Sequence, residues 1–415
     1  MEEGHHPEAN VEEDENEQIS EKDIAQIYEC EGRAEDHYVS DDDEMPGSSN
    51  ASAMEDEEVV DDSCTALQAH EQDCFAIAVA AHRWLATGGE DDVAYLFDQT
   101  KSETEPVLKI THEDSVTQVL FNSSESLLAT GDMSGKIVIT HIPSLTTRTE
   151  LNDCNDLEWM TWHSTSDILF AGDKDGMIWM WLIGPKGVVQ SKVYPGSGAA
   201  CSVGQLLPDG KRVLAGYDDG VVRLWQLKEQ SSTQLTFNSP ITALQHHPTQ
   251  PVALIGTQKG FVYIINTAQE DSLRRVSEIA PLNDAKTFDD EDEVDQCVEC
   301  LSFSTSHPWF AVGRNDGSVC VYETNSSSPR SIFRSPMSQA ITRAFWTSDG
   351  TVPLLVVASV DGTIRIFDSR DGSLFKQLGN GGDGVLDLAL VDHSPLRIMT
   401  AAVGGIVRVF DLSMF

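Results

Sequence analysis

The chain has 415 residues, 40% of them hydrophobic, and carries 68 acidic against 27 basic side chains, a formal net charge of −41. Such a field repels nucleic acid and steers basic proteins or peptides toward the surface. No apolar run approaches the length of a membrane span, Met1-Glu2-Glu3 lacks the basic start of a signal peptide, and the 8 scattered cysteines read as free thiols.

Residues 1–62 hold 24 Asp/Glu against Lys22 and Arg33, a net −22, which leaves −19 for 63–415. Runs such as Glu12-Glu13-Asp14-Glu15 and Asp41-Asp42-Asp43-Glu44, with few large apolar residues, cannot bury enough surface to offset the entropy of ordering. This segment is therefore expected to be a disordered acidic tail. Ile24, Ile27 and Tyr28 are spaced for one helical face, as a transient helix or docking motif would be, but a chance occurrence is about three times the better explanation.

From residue 63 onward one phrase recurs eight times: a small residue, Gly, two or three turn residues, Gly, then an apolar strand. The copies begin at Gly88, Gly131, Gly172, Gly216, Gly256, Gly313, Ser359 and Ala402. The strands after them end at Phe97, Thr140, Trp181, Trp225, Ile265, Tyr322, Phe367 and Phe410, at intervals of 43, 41, 44, 40, 57, 45 and 43 residues. Each unit also has a first strand with apolar residues at positions 0, +3 and +5, as in Val116, Val119, Phe121 and Leu157, Met160, Trp162. Four short strands per unit and a period just above forty predict an all-β, eight-bladed β-propeller over 63–415.

The last unit stops at Phe410-Asp411, so a strand from about 58–67 is expected to complete it and close the ring. The 57-residue interval predicts an acidic insertion loop at about 282–295, containing Asp289-Asp290-Glu291-Asp292-Glu293.

Three motifs suggest chemistry and are better read as structure. Gly379-Asn380-Gly381-Gly382-Asp383-Gly384 matches a dinucleotide fingerprint, but it precedes a strand rather than opening a helix. Cys297-x-x-Cys300 has no second ligand pair for zinc, and the strand register places Cys300 in a blade. His70 and His112 precede first strands, where a histidine can bond Thr87 or Thr130 of the second strand. No nucleophile elbow or catalytic set accompanies them, so neither an enzyme, a cofactor nor a metal is expected.

In a propeller the turns between second and third strands share one rim with the loops leading into first strands. That rim is expected to gather acidic side chains, among them Asp132, Asp173 and Asp361. Asp before Gly is partly turn chemistry, and Lys174 and Arg314 interrupt the series. Glu90, Asp91, Asp114, Asp156, Glu158 and Trp159, with Asp218 next, are the candidate residues for binding a basic ligand.

Several phrases go beyond a generic WD-repeat ring. Gly88-Gly89-Glu90-Asp91-Asp92, Ala129-Thr130-Gly131-Asp132-Met133-Ser134-Gly135, Asp156-Leu157-Glu158-Trp159-Met160, Trp179-Met180-Trp181 and Leu207-Pro208-Asp209-Gly210-Lys211 stand in order across blades one to four. In these the chain resembles the angio-associated migratory cell protein family, a resemblance strongest over residues 84–225. It implies kinship with fungal chaperones dedicated to one basic ribosomal protein of the large subunit, held on an acidic propeller face. It also implies an alternative, a signalling scaffold linked to cell migration and angiogenesis. The first reading agrees with the charge count: a non-enzymatic, monomeric, cytoplasmic protein, with nuclear entry left open. It would not bind nucleic acid directly, nor insert into a membrane. The acidic tail would speed encounter with the client and mask its charge from RNA.

Overall fold

The computed structural model describes residues 60–80, 83–101, 105–269, 272–282, 296–334, 339–347, 352–391 and 396–412. The expected acidic tail, apart from its last three residues, and nearly all of the expected insertion loop lie outside them.

The described residues form eight four-stranded antiparallel sheets. Seven are built from consecutive strands, such as blade 2 from Val116–Phe121, Leu127–Asp132, Ile137–His141 and Thr146–Leu151. First strands adjoin one another around the axis and outer strands face solvent. The ring is an eight-bladed β-propeller, as the repeat predicts.

Blade packing explains the sequence pattern. A second strand is covered by the neighbouring blade on each face, so Leu127–Asp132 and Trp309–Arg314 are buried at every position. Alternation is lost for the same reason that it is lost in doubly covered sheets. The 0, +3, +5 pattern has a different cause. A register shift separates positions 0 and +2 in seven blades, between Val116 and Gln118 for example. Such a bulge adds one residue and swaps the faces that follow it.

The turns between second and third strands need a left-handed residue. Gly135 has φ 99°, and a Cβ there would strike the backbone carbonyl of Cys154. Blade 1 has Asp92 at its left-handed position, φ 61°, a conformation that Asp tolerates better than most residues.

Blade 8 consists of Val385–Val391, Arg397–Ala402 and Ile406–Asp411, and its fourth strand is Thr65–Gln68 from the other end of the ring. The two ends pair antiparallel from Thr65 against Val409 to Gln68 against Ile406. Buried Arg408 reinforces the seam, with Nε 3.1 Å from Asp61 and Nη2 2.7 Å from Asp383. Asp62 accepts from Gly379 N–H at 2.8 Å.

Candidate functional site

One backbone hydrogen bond recurs in all eight blades and builds the upper rim. The N–H just after the second strand donates to the carbonyl just before the first strand of the same blade, from Glu90 to Asp73 at 2.9 Å through Val403 to Gly384 at 3.0 Å. Each turn is thereby fixed beside its blade's leading loop. The donors are Glu90, Met133, Lys174, Asp218, Gln258, Asn315, Val360 and Val403. Read around the ring, these residues and their neighbours are not uniform. Glu71, Glu90, Glu113, Asp114, Asp156, Glu158, Asp175 and Asp218 fall on blades 1–4, while blades 5–8 carry Gln258, Lys259, Asn315 and Val360 together with Glu299, Asp316, Asp361 and Asp383. The acidic rim is densest in an arc over blades 1–4.

On the rim, several carboxylates are committed to the fold. Asp91 accepts from His70 Nδ1 at 2.8 Å and from Glu71 N–H at 3.1 Å. Asp132 is fully buried and faces His112 Nδ1 at 3.1 Å, while His112 Nε2 lies 2.8 Å from Thr130. Burial alone would raise the Asp132 pKa, but hydrogen bonds from His112, Ser134 and Glu113 N–H hold it below the ordinary value. Asp173 accepts from Trp179 Nε1 at 2.7 Å, and Asp361 pairs with Arg365 at 2.8 Å. Asp132, Asp173 and Asp361 therefore leave the set of rim carboxylates open to a ligand, and Asp91 belongs to it only in part.

The other candidates differ in their freedom. Asp114 accepts from Ser115 N–H at 2.8 Å, and half-exposed Asp156 pairs with Lys174 at 3.0 Å. Glu90 and Asp218 are exposed, and no ion pair engages either of them among the described residues. Glu158 is half-buried, and its pKa is raised by burial and then by repulsion from Asp218, which the Lys174 charge only partly offsets. Such a group gains from a cation brought to it.

Trp159 is a correction. It is 6% exposed, donates from Nε1 to Cys201 Sγ at 3.4 Å, and lies in the core between blades 3 and 4. Gly172 and Gly204 make room for its ring, and a Cβ on either would collide with it. It cannot touch a ligand on the rim.

A further pattern was not read from the sequence. One residue after register zero, Ser202, Thr242 and Thr342 each donate a hydroxyl to the register-zero carbonyl of the next blade, at 2.7, 2.7 and 3.0 Å. Glu158 and Glu299 occupy the same position in blades 3 and 6, replacing an interblade latch with a charge at the channel mouth. Deeper in, Arg343 Nε reaches Asp387 at 2.7 Å, and Asp387 accepts from Ile77 N–H at 3.0 Å, which ties blades 7, 8 and 1. Ser/Thr recurring after the first apolar residue was the available signal.

His70 offers a test of pH dependence at the rim. Its buried ring donates from Nδ1 to Asp91 and meets Thr87 through Nε2 at 2.8 Å, and burial depresses its pKa below 6.5 despite Asp91. A depressed folded pKa gives stability that is present above the unfolded value of 6.5 and is lost as pH falls through the folded one. Urea unfolding from pH 7.5 to 5.5 should show a shallower loss of stability on acidification in His70→Gln than in the parent, by at most about one proton's slope. Equal slopes would remove His70 from that account. The global charge effect is common to both proteins and drops out of the comparison.

The other motifs resolve as structure. Cys300 is buried in the first strand of blade 6, and no group of three or more metal-ligating side chains occurs among the described residues. Gly381 and Gly382, at φ 65° and 81°, lead into the Val385–Val391 strand.

Fold and rim together define a WD-repeat β-propeller whose rim is most acidic on blades 1–4. A model for the WD domain, G-beta repeat, matches residues 104–140 and 189–226, and one for the Nucleolar protein 10-like N-terminal domain matches 208–407. Homologues of the chain include the angio-associated migratory cell protein of Homo sapiens, 29% identical over 353 residues, covering 82% of this chain and 78% of that one. They also include the ribosome assembly protein SQT1 of Saccharomyces cerevisiae, 23% identical over 408 residues, covering 90% and 91%. The crystal structure of Chaetomium thermophilum Sqt1 bound to the N-terminus of the ribosomal protein L10 superposes with a TM-score of 0.73 at 21% identity, covering 85% of this chain and 100% of that one.

Proposed function

We propose that this propeller is a dedicated chaperone for a basic large-subunit ribosomal protein, whose N-terminal segment it holds on the acidic arc. The observation that carries the reading is the grouping of Glu90, Glu158 and Asp218, three carboxylates without an ion pair among the described residues, on one side of the rim. Glu158 supports it further, because half-burial beside Asp218 leaves its charge poorly solvated until a Lys or Arg arrives. Similarity to SQT1, and the L10 N-terminus bound by the Chaetomium relative, support the choice of client. Binding requires no chemical step, and the rim supplies positioning and charge alone. Capture of a newly made ribosomal protein sets the work in the cytoplasm.

Isothermal titration with a synthetic L10 N-terminal peptide tests the reading. Affinity should fall at least about tenfold between 0.1 and 0.5 M salt, since exposed pairs are screened over that range. Absence of binding at low salt would remove this client. Tight binding indifferent to salt would remove the electrostatic mechanism and favour the scaffold reading.

A further inference from the structure

Blades 3 and 4 leave a cleft of about 540 Å³ between them, at the end of their sheets opposite the acidic rim. Its blade 4 wall is made by the turns at 207–211 and 227–230, which join first to second and third to fourth strands. The rim turns join second to third strands, so one strand's length, roughly 20 Å, separates the two features. The blade 3 wall grades from apolar to charged. Phe170, Met180 and Lys192 pair in register across three adjacent strands and therefore share the face turned to blade 4. Phe170 is 1% exposed, Met180 8%, and Lys192 is half-buried at the edge. Half-buried Ile168 and Leu227 extend this apolar floor where the core between the two blades reaches the surface.

Hydrogen bonds pin the walls in place. The Tyr194 hydroxyl of blade 3 donates to the Leu227 carbonyl of blade 4 at 3.0 Å. Leu227 N–H donates to the Lys211 carbonyl at 3.0 Å, and His163 Nε2 donates to the Gly210 carbonyl at 3.1 Å. A ligand would meet a preorganised surface, which lowers the ordering cost of binding. The charge here is opposite to that of the chain. Lys192, Lys211 and Lys228 line the cleft, and none of the three holds an ion pair among the described residues. Arg212 and Asp209 neutralise each other at 2.6 Å, so three lysines against Glu229 leave a local net charge of +2. In a chain of 68 acidic and 27 basic side chains this grouping runs against the composition. Screening acts over about 8 Å at physiological salt, so the distant rim does not cancel it.

We propose that this cleft docks an acidic segment of a second protein, with an apolar side chain on Ile168 and Leu227 and flanking carboxylates on Lys192, Lys211 and Lys228. The inference goes beyond the chaperone reading and does not depend on it: the rim takes a basic client, and the cleft takes a partner of opposite charge on the opposite face. Nucleic acid fits less well. The Phe170 ring is too deeply buried to stack a base, and a long polyanion would run from the cleft into the field of a −41 chain. A short segment with an apolar centre uses the lysines and the floor together.

Fluorescence anisotropy of a fluorescein-labelled peptide, Glu-Asp-Leu-Leu-Asp-Glu, titrated with the full chain at low salt, tests the site. Saturable binding with a Kd below about 0.2 mM is expected, and its absence would overturn the proposal. Lys192→Glu, Lys211→Glu and Lys228→Glu together should weaken binding at least about tenfold. Reversing Lys101, Lys109 and Lys259, all exposed and outside the cleft, changes the net charge equally and should alter affinity by less than about threefold. Equal losses in the two variants would assign binding to net charge and overturn the proposal. A second probe leaves the protein unchanged: Glu-Asp-Ser-Ser-Asp-Glu should bind at least about fivefold more weakly, since it cannot use the floor. Equal affinity for the two peptides would also overturn it. Two other occupants are outcomes of the same assay. One is the chain's own N-terminal segment, which would be shown if turning Glu12, Glu13, Asp14, Glu15, Asp41, Asp42, Asp43 and Glu44 into Gln or Asn tightened peptide binding at least about tenfold. The other is RNA, which would be shown if oligouridine bound more tightly than the peptide and lost that binding in the cleft triple variant. Either result would overturn the proposal, and none of them bears on the rim, whose residues stay intact in the cleft variant.

Discussion

Reversing Glu90, Glu158 and Asp218 together to Lys should weaken binding of the L10 N-terminal peptide by at least about a hundredfold, since each lost charge pair contributes about 1.5 kcal/mol or more and the new lysines repel the client. The Tm should change little, because none of the three holds an ion pair among the described residues. Asp156 and Asp91 are left intact deliberately. Asp156 adopts φ 50°, which Asp tolerates better than Lys, and Asp91 is hydrogen-bonded to His70. A control reverses Glu105, Glu229 and Glu278, all exposed and none on the rim, and changes the net charge equally. If that control weakens binding as much as the rim triple, overall charge rather than the arc is responsible, and the site assignment fails. If both leave the peptide tightly bound, the client is held elsewhere.

Much of this architecture was legible in the sequence because repetition supplies its own alignment. Eight copies of the turn phrase fixed the blade count, and the 0, +3, +5 spacing already recorded a bulge that no single strand would have revealed. The rim was harder to read. An Asp in the turn phrase looks the same whether it faces solvent or a histidine some twenty residues upstream, so Asp132 and Glu90 were indistinguishable until the loops were in place. Asp132 meets His112 and has no exposure, whereas Glu90 has no comparable partner among the described residues. Trp159 misled for a related reason. Its phrase is the most distinctive in the chain, yet that distinctiveness records a packing solution, a large ring admitted by Gly172 and Gly204. Position +2 is buried in other blades too, at Ala76, Ala243 and Cys300, where the residues are small and attract no attention.

The seam of the ring gives the second large effect. Removing residues 1–68 should lower the Tm by about 10 °C or more relative to removing 1–59, since a four-residue ladder and its flanking contacts contribute several hydrogen bonds of about 1 kcal/mol each. The shorter truncation keeps Thr65–Gln68 against the Ile406–Asp411 strand, and keeps Asp61 on Arg408 and Asp62 on Gly379 N–H. The longer one strips all of these. Among the described residues Arg408 would retain only Asp383, and blade 8 would end in a three-stranded sheet whose open edge is Ile406–Asp411. An open edge of Val and Phe residues can pair with another chain, so gel filtration should show concentration-dependent oligomers in the longer truncation alone. Differential scanning fluorimetry on both variants decides the matter. Melting points within about 2 °C, where well under 1 kcal/mol per residue removed would be at stake, would mean that the ring holds without this strand, through blade-to-blade packing alone. A large difference would instead show that the chain's two distant segments are joined by the few residues between Asp61 and Gln68.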